Sequence, residues 1–428
     1  MAQTGERGAR AQMPAWVRNL GDALGRPVLA VALAIIAGAI VILITWPNKA
    51  LDPFSNVFSA YGALLNGSFG TPISISNTLV RVSPLIFATL SVAIAFRAGL
   101  FNIGAAGQMT AGAMAADIVG LTYIHWPAWL LIPAMVIASI LAGAIWGGIV
   151  GFLKAWRGAH EVVTTIMLNW IAFWGTDYLI DGPPFTAPLG VNQTNPLPPQ
   201  GTIPPVADLW NKTLGSLPFL PKLDSFSYTA DVSIFIALLC IVLYWFITSR
   251  TTFGYEVRVI GQNPKAARYA GIPVKRNILF VMLIAGGFAG LGGALHLMGQ
   301  FSYQLTATAA AADPTGFDAI AAALLGRTTP VGILFSSLLF GGLRTGSTNM
   351  QAIAHVDPNL VLILEGLIIY FMAADFIPIF RRLLPPWLRP RLRPALVVPP
   401  DAPIAVPGNG ESTGQGHYGA IGERQKEI

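Results

Sequence analysis

The chain has 428 residues, of which 54% are hydrophobic and 11% charged, and its mean hydropathy is +0.61. Charged residues make up about a quarter of an ordinary soluble chain, so this composition excludes a soluble globular protein. The net charge of +6 comes from basic residues that cluster at the ends of apolar segments, which reports membrane orientation rather than nucleic-acid binding. The single cysteine, Cys240, excludes a disulfide framework and a thiolate metal cluster.

Several apolar segments reach the roughly 20 residues needed to cross a bilayer. They predict an all-α polytopic membrane protein with about ten transmembrane helices. Gly, Thr and Pro interrupt the pattern between 300 and 347, where a broken or re-entrant helix is expected. In chain order the predicted helices lie near 27–46, 77–97, 101–122, 129–153, 161–180, 229–248, 277–299, 313–326, 330–347 and 359–380.

The distribution of Lys and Arg predicts that both termini are cytoplasmic. Four arginines precede the first segment, and Arg381-Arg382 follows the last; cytoplasmic flanks carry such an excess. Alternate counting places the loop 181–228 outside and the basic loop 249–276 inside. The many prolines of the loop 181–228 favour a cap or docking surface, and an irregular loop is the alternative. The predicted divisions are a cytoplasmic N-terminal arm (1–26), a transmembrane domain (27–380) and a disordered cytoplasmic tail (381–428) that is rich in Pro and Gly.

The basic loop 249–276 contains the signals of a very short helix. Asn263 is a suitable N-cap, and Pro264 suits the first helical position because its missing N–H would be unpaired there. Gly271 suits the left-handed residue that follows a helix. The predicted helix, Pro264–Ala270, is about 10 Å long and too short to be stable alone. We therefore expect a cytoplasmic partner to dock on it.

The chain lacks the signatures of an enzyme. It has no Gly-x-x-x-x-Gly-Lys-Ser/Thr loop to bind nucleotide phosphates. The glycine-rich run 286–293 lies inside an apolar segment, which favours close packing of helices over dinucleotide binding. No His or carboxylate spacing suggests a metal site. We therefore predict no catalytic residue, no metal and no cofactor in this chain.

Four segments of the sequence together resemble the membrane permeases of ABC importers in the sugar, nucleoside and branched-chain amino acid group. The resemblance covers roughly residues 75–380. It is greatest to the nucleoside permeases that are paired with basic-membrane-lipoprotein-type binding proteins. The four segments are 96–109 (FRAGLFNIGAAGQM), 161–170 (EVVTTIMLNW), 261–272 (GQNPKAARYAGI) and 316–327 (GFDAIAAALLGR).

The resemblance implies a subunit of a larger importer in the bacterial inner (cytoplasmic) membrane. This chain would form the translocation path for a nucleoside together with a second permease subunit, a paralogue. An ABC ATPase on separate chains would bind ATP and Mg, and an extracytoplasmic substrate-binding lipoprotein would deliver the substrate. A simple sugar such as ribose, or a branched-chain amino acid, is the alternative substrate within this class.

The resemblance also implies that the loop around 261–272 is the coupling helix that receives the movement of the ATPase. Its small alanines are expected to allow close docking, and its basic residues to meet acidic groups on the partner. The predicted coupling residues are Arg258, Gly261, Asn263, Pro264, Lys265, Ala266, Ala267, Arg268, Tyr269 and Gly271.

Polar groups inside membrane spans are costly and usually face a cavity or a partner helix. On this ground the predicted substrate path contains Asn102, Gln108, Asn169 and Glu365. Each has a structural alternative. Asn102 and Gln108 would cap or bridge helices, Asn169 would join two helices, and Glu365 would pair, be protonated or line water.

Two further classes of function remain open from the residues. A secondary transporter driven by protons or sodium would use Glu365 and Asp117 as its ion relay. A purely structural membrane subunit would have no transport path, and the broken, polar-dotted helices count against it.

Overall fold

The computed structural model describes residues 15–45, 49, 52–181, 192–213, 222–299, 303–306 and 314–373. The predicted tail 381–428 lies outside these residues. The described part contains helices and two isolated β-bridges but no strand. Its α-helices are α1 (Ala15–Thr45), α2 (Pro53–Leu65), α3 (Pro72–Arg97), α4 (Ala105–Thr122), α5 (Ala128–Phe152), α6 (Glu161–Ile180), α7 (Val206–Lys212), α8 (Ser233–Arg250), α9 (Thr252–Gln262), α10 (Pro264–Tyr269), α11 (Val274–Gly299), α12 (Thr315–Leu325), α13 (Pro330–Ala354) and α14 (Asn359–Ala373).

The prediction of a helical membrane protein is confirmed. Within the described residues, five helices combine the length and the apolar composition that a bilayer crossing requires: the Pro27–Thr45 part of α1, then α3, α5 with the turn after it, α8 and α11. Two shorter apolar helices, α12 and α14, follow. Every one of the ten predicted segments overlaps a helix, although α1 begins at Ala15 rather than at residue 27.

Glycine-mediated packing of α11 forms the centre of the bundle. A Cβ added to Gly286 would collide with the α5 backbone at Gly143, and one added to Gly290 would collide with it at Ser139. One added to Gly293 would collide with the α4 backbone at Met109. Small residues let helix backbones approach this closely. The glycine-rich run 286–293 is therefore a packing surface, as the sequence predicted.

The sequence did not reveal α2, because its 13 residues are amphipathic and shorter than a membrane span. Its N-cap Asp52 accepts a hydrogen bond from the Ser55 N–H at 3.0 Å. A π-turn, Asn66–Gly70, then leads to α3. In this turn the Ser68 Oγ donates to the Gly342 carbonyl at 2.6 Å, which ties the turn to α13.

The interrupted pattern between 300 and 347 corresponds to two separate helices. Arg327 and Thr328 have φ values of 51° and 53°, and left-handed backbone of this kind ends α12 before α13 begins. The second helix continues to Ala354, beyond the predicted end at 347. The predicted break in the helix is confirmed. The bounds of the two helices, Thr315–Leu325 and Pro330–Ala354, differ from the predicted 313–326 and 330–347.

The described parts of the proline-rich loop 181–228 pack on the end of α11. The Thr194 N–H donates to the Leu305 carbonyl at 2.8 Å, and the Leu197 N–H donates to the Tyr303 carbonyl at 2.8 Å. The Ile203 N–H donates to the Met298 carbonyl at 2.9 Å. These bonds hold the loop as a cap over the adjoining helix ends.

Candidate functional site

The short helix α10 has the local geometry that its sequence predicts. The Asn263 Oδ1 accepts the N–H groups of Lys265 and Ala266, each at 3.0 Å. Gly271 has a φ of +78°, which is the left-handed conformation expected after the helix. The helix ends at Tyr269, one residue before the predicted end. Its two termini are therefore set by the residues that the sequence singled out.

The start of the coupling segment touches the end of α3. A Cβ added to Gly261 would lie 3.0 Å from the carbonyl carbon of Arg97 and closer still to its oxygen. Gly99 has a φ of +72°, and a Cβ there would lie 3.3 Å from the Gly261 Cα. The two segments are therefore in contact backbone against backbone.

A second set of contacts holds α9 beside α8 and α11. The Arg258 Nη2 donates to the Thr248 carbonyl at 3.0 Å, so this predicted coupling residue also braces its own chain. The Asn277 Nδ2 donates to the Glu256 Oε2 at 2.6 Å. These bonds connect α9 to the membrane helices on both of its sides.

Fewer residues of α10 are available to a partner than the sequence predicted. Ala267 is completely buried, so its methyl group packs into this chain and cannot contact a partner in this structure. By contrast, the Tyr269 side chain is 94% exposed. Lys265, Ala266 and Arg268 are also exposed. The available face of α10 thus consists of two cations, a small residue and an aromatic ring.

Asn102 and Gln108 form a buried polar network with Ser91 of α3. The Asn102 Nδ2 donates to the Ser91 Oγ at 3.1 Å and to the Gln108 Oε1 at 3.2 Å. The Ser91 Oγ donates to the same Gln108 oxygen at 3.1 Å, and the Gly104 N–H donates to the Asn102 Oδ1 at 3.0 Å. This network joins α3 to the start of α4.

Asn169 joins α6 to the same region. Its Oδ1 accepts the Gly107 N–H at 2.9 Å, and its Nδ2 donates to the Ile103 carbonyl at 2.9 Å. Like Asn102 and Gln108, the residue is buried. All three side chains therefore form hydrogen bonds within the protein, which is the structural alternative to contact with the substrate.

Arg344 lies between two carboxylates from neighbouring helices. Its Nε and Nη2 each donate to Asp318 at 3.2 Å. The Nη2 also lies 3.1 Å from the Glu365 Oε2. Glu365 is thus paired with Arg344, which is one of the three alternatives predicted for it. The predicted substrate path did not include Arg344, although the predicted helix 330–347 contained this residue. In the structure α13 continues to Ala354, and Arg344 lies about 21 Å along it.

A cavity of about 1150 Å³ lies beside this charged group. Asp318 and Arg344 line it, whereas Asn102, Gln108, Asn169 and Glu365 do not. Most of its other polar lining consists of hydroxyl and amide side chains from α3, α4, α13 and the segments around them: Asn66, Thr71, Ser74, Asn77, Thr110, Thr176, Ser225, Thr229, Gln304, Thr306, Thr315, Thr345, Thr348 and Asn349.

The proposed ion relay of a secondary transporter is not assembled in this structure. Asp117 is buried on α4, while Glu365 is paired on α14. Within the described residues, no hydrogen bond or ion pair links the two carboxylates. The same residues contain no group of three or more His, Cys, Asp or Glu side chains that could hold a metal ion.

Comparison with known proteins gives a consistent result. A family model described as the permease component of the branched-chain amino acid transport system matches residues 74–373. The chain is 39% identical over 350 residues to the guanosine ABC transporter permease protein NupP of Bacillus subtilis, which covers 82% of this chain and 93% of NupP. It is 34% identical over 351 residues to the nucleoside ABC transporter permease protein NupB of Lactococcus lactis, covering 82% and 91%.

The glucose ABC transporter permease protein TsgB13 of Haloferax volcanii is also similar. It is 33% identical over 365 residues, which cover 85% of this chain and 89% of that protein. No solved structure matches.

Proposed function

The chain belongs to the family of branched-chain amino acid transport system permease components, and we propose that it is the permease subunit of an ABC importer of nucleosides. The observation that carries the proposal is the similarity to two permeases named for guanosine and nucleoside transport, at 39% and 34% identity over 82% of this chain. The family model matches residues 74–373, which include both loops and nearly all of the helices from α3 to α14, so the similarity bears on most of the transmembrane domain.

The proposed importer contains partners on other chains. An ABC ATPase would bind ATP and Mg and dock on α10, a paralogous permease would complete the path, and a lipoprotein would deliver the substrate. The geometry of the coupling segment supports docking: the exposed face of α10 carries Lys265, Arg268 and Tyr269, and Gly261, near the end of α9, contacts the α3 backbone. Since α3 carries Ser91 of the buried network, movement of α9 together with α10 would reach the bundle interior.

We propose that the domain crosses the bacterial inner membrane ten times, with both termini in the cytoplasm. The basic loop that contains α10 would then face the ATPase, and the cap formed by the loop 181–228 would face the binding protein. The bias of Lys and Arg toward the proposed cytoplasmic segments supports this orientation.

The cavity beside Asp318 and Arg344 is the proposed part of the path that this chain contributes. Ligand pockets for small molecules have volumes of about 300–1000 Å³, and a cavity of about 1150 Å³ accommodates a nucleoside. Its polar lining consists mainly of hydroxyl and amide side chains, which suit a hydroxylated solute, together with Arg81, His296, Asp318 and Arg344.

A simple sugar is the second candidate substrate. The similarity to a glucose permease, at 33% identity over 365 residues, favours it specifically. Both candidates contain a hydroxylated ring, so the same cavity lining is compatible with either.

Uptake by the complete reconstituted importer tests the proposal. The chain would be co-expressed with the ATPase, second permease and lipoprotein encoded by neighbouring reading frames, and radiolabelled guanosine uptake measured in proteoliposomes containing ATP. We expect uptake to stop when a non-hydrolysable ATP analogue replaces ATP. We also expect excess unlabelled nucleoside to compete with the labelled guanosine. Competition by glucose alone would support the sugar alternative. Uptake abolished by a protonophore while ATP remains would contradict the ABC mechanism.

A further inference from the structure

Three charged residues from three consecutive helices meet at the cavity. Asp318 lies on α12, Arg344 on α13 and Glu365 on α14. The Arg344 side chain is 19% exposed and that of Asp318 is 12% exposed, while Glu365 is 5% exposed and lies behind them. Charged groups inside a membrane domain usually mark a ligand or ion pathway. Here two of the three reach the cavity surface.

The hydrogen bonds within this group leave room for a ligand. Arg344 uses Nε and Nη2 for its carboxylate contacts, and Nη1 is the guanidinium nitrogen that these contacts do not use. Each oxygen of the Asp318 carboxylate can accept more than one hydrogen bond. The pair therefore presents a strong acceptor beside a strong donor, and charged partners make the stronger hydrogen bonds.

We propose that Asp318 and Arg344 bind the vicinal hydroxyls of the substrate's sugar ring, with Glu365 positioning Arg344 from behind. A hydroxyl both donates and accepts. One hydroxyl of a cis-diol donates to the Asp318 carboxylate, and its neighbour accepts from the Arg344 guanidinium. This assignment rests on the proposed function, because it takes the nucleoside or sugar as substrate and names the part of the substrate that the protein recognises.

The cavity favours the sugar over the base as the group that the pair contacts. Recognition of a nucleobase commonly involves an aromatic ring on which the base stacks. Two of the described residues that line the cavity have aromatic rings, His296 and Tyr303, and they lie on α11 and just after it rather than on α13 beside Arg344. The walls near Arg344 instead contain Thr345, Thr348 and Asn349. The nucleoside and the alternative sugar also share only the hydroxylated ring.

Local charge also favours a neutral polyol. Two carboxylates surround one guanidinium, so the charge of Arg344 is more than matched, while Arg81 and His296 line other parts of the cavity. A phosphate at this point would face the Asp318 carboxylate, and like charges in such a site repel. The diol of an uncharged ring can bond to both members without that repulsion.

The test compares substrates that differ only in the ring hydroxyls. Uptake of guanosine and of 2′,3′-dideoxyguanosine would be measured with the reconstituted importer carrying the wild-type chain or Asp318→Asn. The wild-type to variant ratio is taken for each substrate, which cancels the preference of the binding protein, and comparison of the two ratios then cancels the amount of active protein. We expect Asp318→Asn to lower guanosine uptake about tenfold or more, as for a lost hydrogen bond to a charged group, and dideoxyguanosine uptake less than about twofold.

Two further variants complete the test. Arg344→Lys keeps the positive charge between the carboxylates but lacks Nη1, so it should reproduce the selective loss in a chain that folds. Asp52→Asn makes the same chemical change at the exposed N-cap of α2, where Asn caps a helix as well as Asp does, and it should leave both ratios unchanged.

An equal fall of guanosine and dideoxyguanosine uptake in both Asp318→Asn and Arg344→Lys would overturn the diol assignment while the nucleoside importer stands. If the wild-type importer carried neither compound, the proposed function itself would fail, and the diol assignment with it. The two failures are therefore distinguishable.

Discussion

Replacement of Gly261 by alanine tests whether the coupling segment acts on the bundle through its backbone contact with α3. The added Cβ would lie 3.0 Å from the Arg97 carbonyl carbon and closer to its oxygen. Real Cβ atoms essentially never approach other heavy atoms more closely than 3.0 Å, and the obstacle is backbone, which cannot rotate away. The two segments must therefore separate by several tenths of an ångström or more.

The expected cost follows from overpacking. Forcing an extra group into a well-packed contact costs about 1–3 kcal/mol. We expect Gly261→Ala to lower the apparent Tm of the purified chain by a few degrees, since about 1 kcal/mol shifts the Tm of a domain of 150–250 residues by about 2–4 °C. The larger expected effect is on coupling: the number of substrate molecules imported per ATP hydrolysed should fall, because the end of α9 at Gly261, which precedes α10, no longer sits against α3.

The matched control is Gly175→Ala. Gly175 is a glycine of α6 with no atom within 4 Å of the position of an added Cβ, and alanine is the better helix former by about 0.5–1 kcal/mol. The Tm and the coupling ratio of this variant should equal or exceed those of the wild type. If Gly261→Ala matched Gly175→Ala in both measurements, the argument from backbone contact would be refuted.

Three further predictions concern residues placed above. Asn263→Ala removes the acceptor of two N–H groups, which costs about 0.5–2 kcal/mol of local helix stability. Co-purification with the ATPase should therefore weaken, and Asn263→Asp should restore it. Unchanged co-purification of Asn263→Ala would contradict a role for the cap. Asn169→Ala leaves the buried Gly107 N–H and Ile103 carbonyl without their partner, at about 1–3 kcal/mol each. Its Tm should therefore fall, whereas Asn169→Asp, which keeps an acceptor for Gly107, should lose less; equal losses would count against separate bonds. Gly290→Ala collides with the α5 backbone, whereas a Cβ at Gly287 lies 3.5 Å from its nearest neighbour. Yield and Tm should therefore fall for Gly290→Ala and not for Gly287→Ala, and the reverse order would refute the packing described for α11.

Local chemistry made much of the coupling segment predictable. Asn263 bonds to N–H groups two and three residues away, and Gly271 adopts its left-handed conformation two residues after α10. Such relations depend on neighbours in the chain, so a sequence pattern reports them. Helix α2 escaped detection because its 13 residues lack the length by which a membrane span is recognised.

The partners of the buried polar groups were less predictable. The sequence indicated that Asn102, Gln108, Asn169 and Glu365 needed partners, because unpaired polar groups are costly in a membrane domain. It could not say whether those partners were substrate or protein. For Asn169 they are the backbone of another helix, more than 60 residues away in the chain.

The amino-acid sequence by itself determined the membrane class, the positions of most helices and the caps of α10, because hydrophobic periodicity and capping act over a few residues. Only the tertiary structure decided that Ala267 faces inward, that Gly261 meets Arg97, and that Arg344 joins two carboxylates beside a cavity. Those outcomes depend on how one helix is rotated and shifted against another. Packing of side chains and glycines between helices sets that rotation, and it involves residues far apart in the chain.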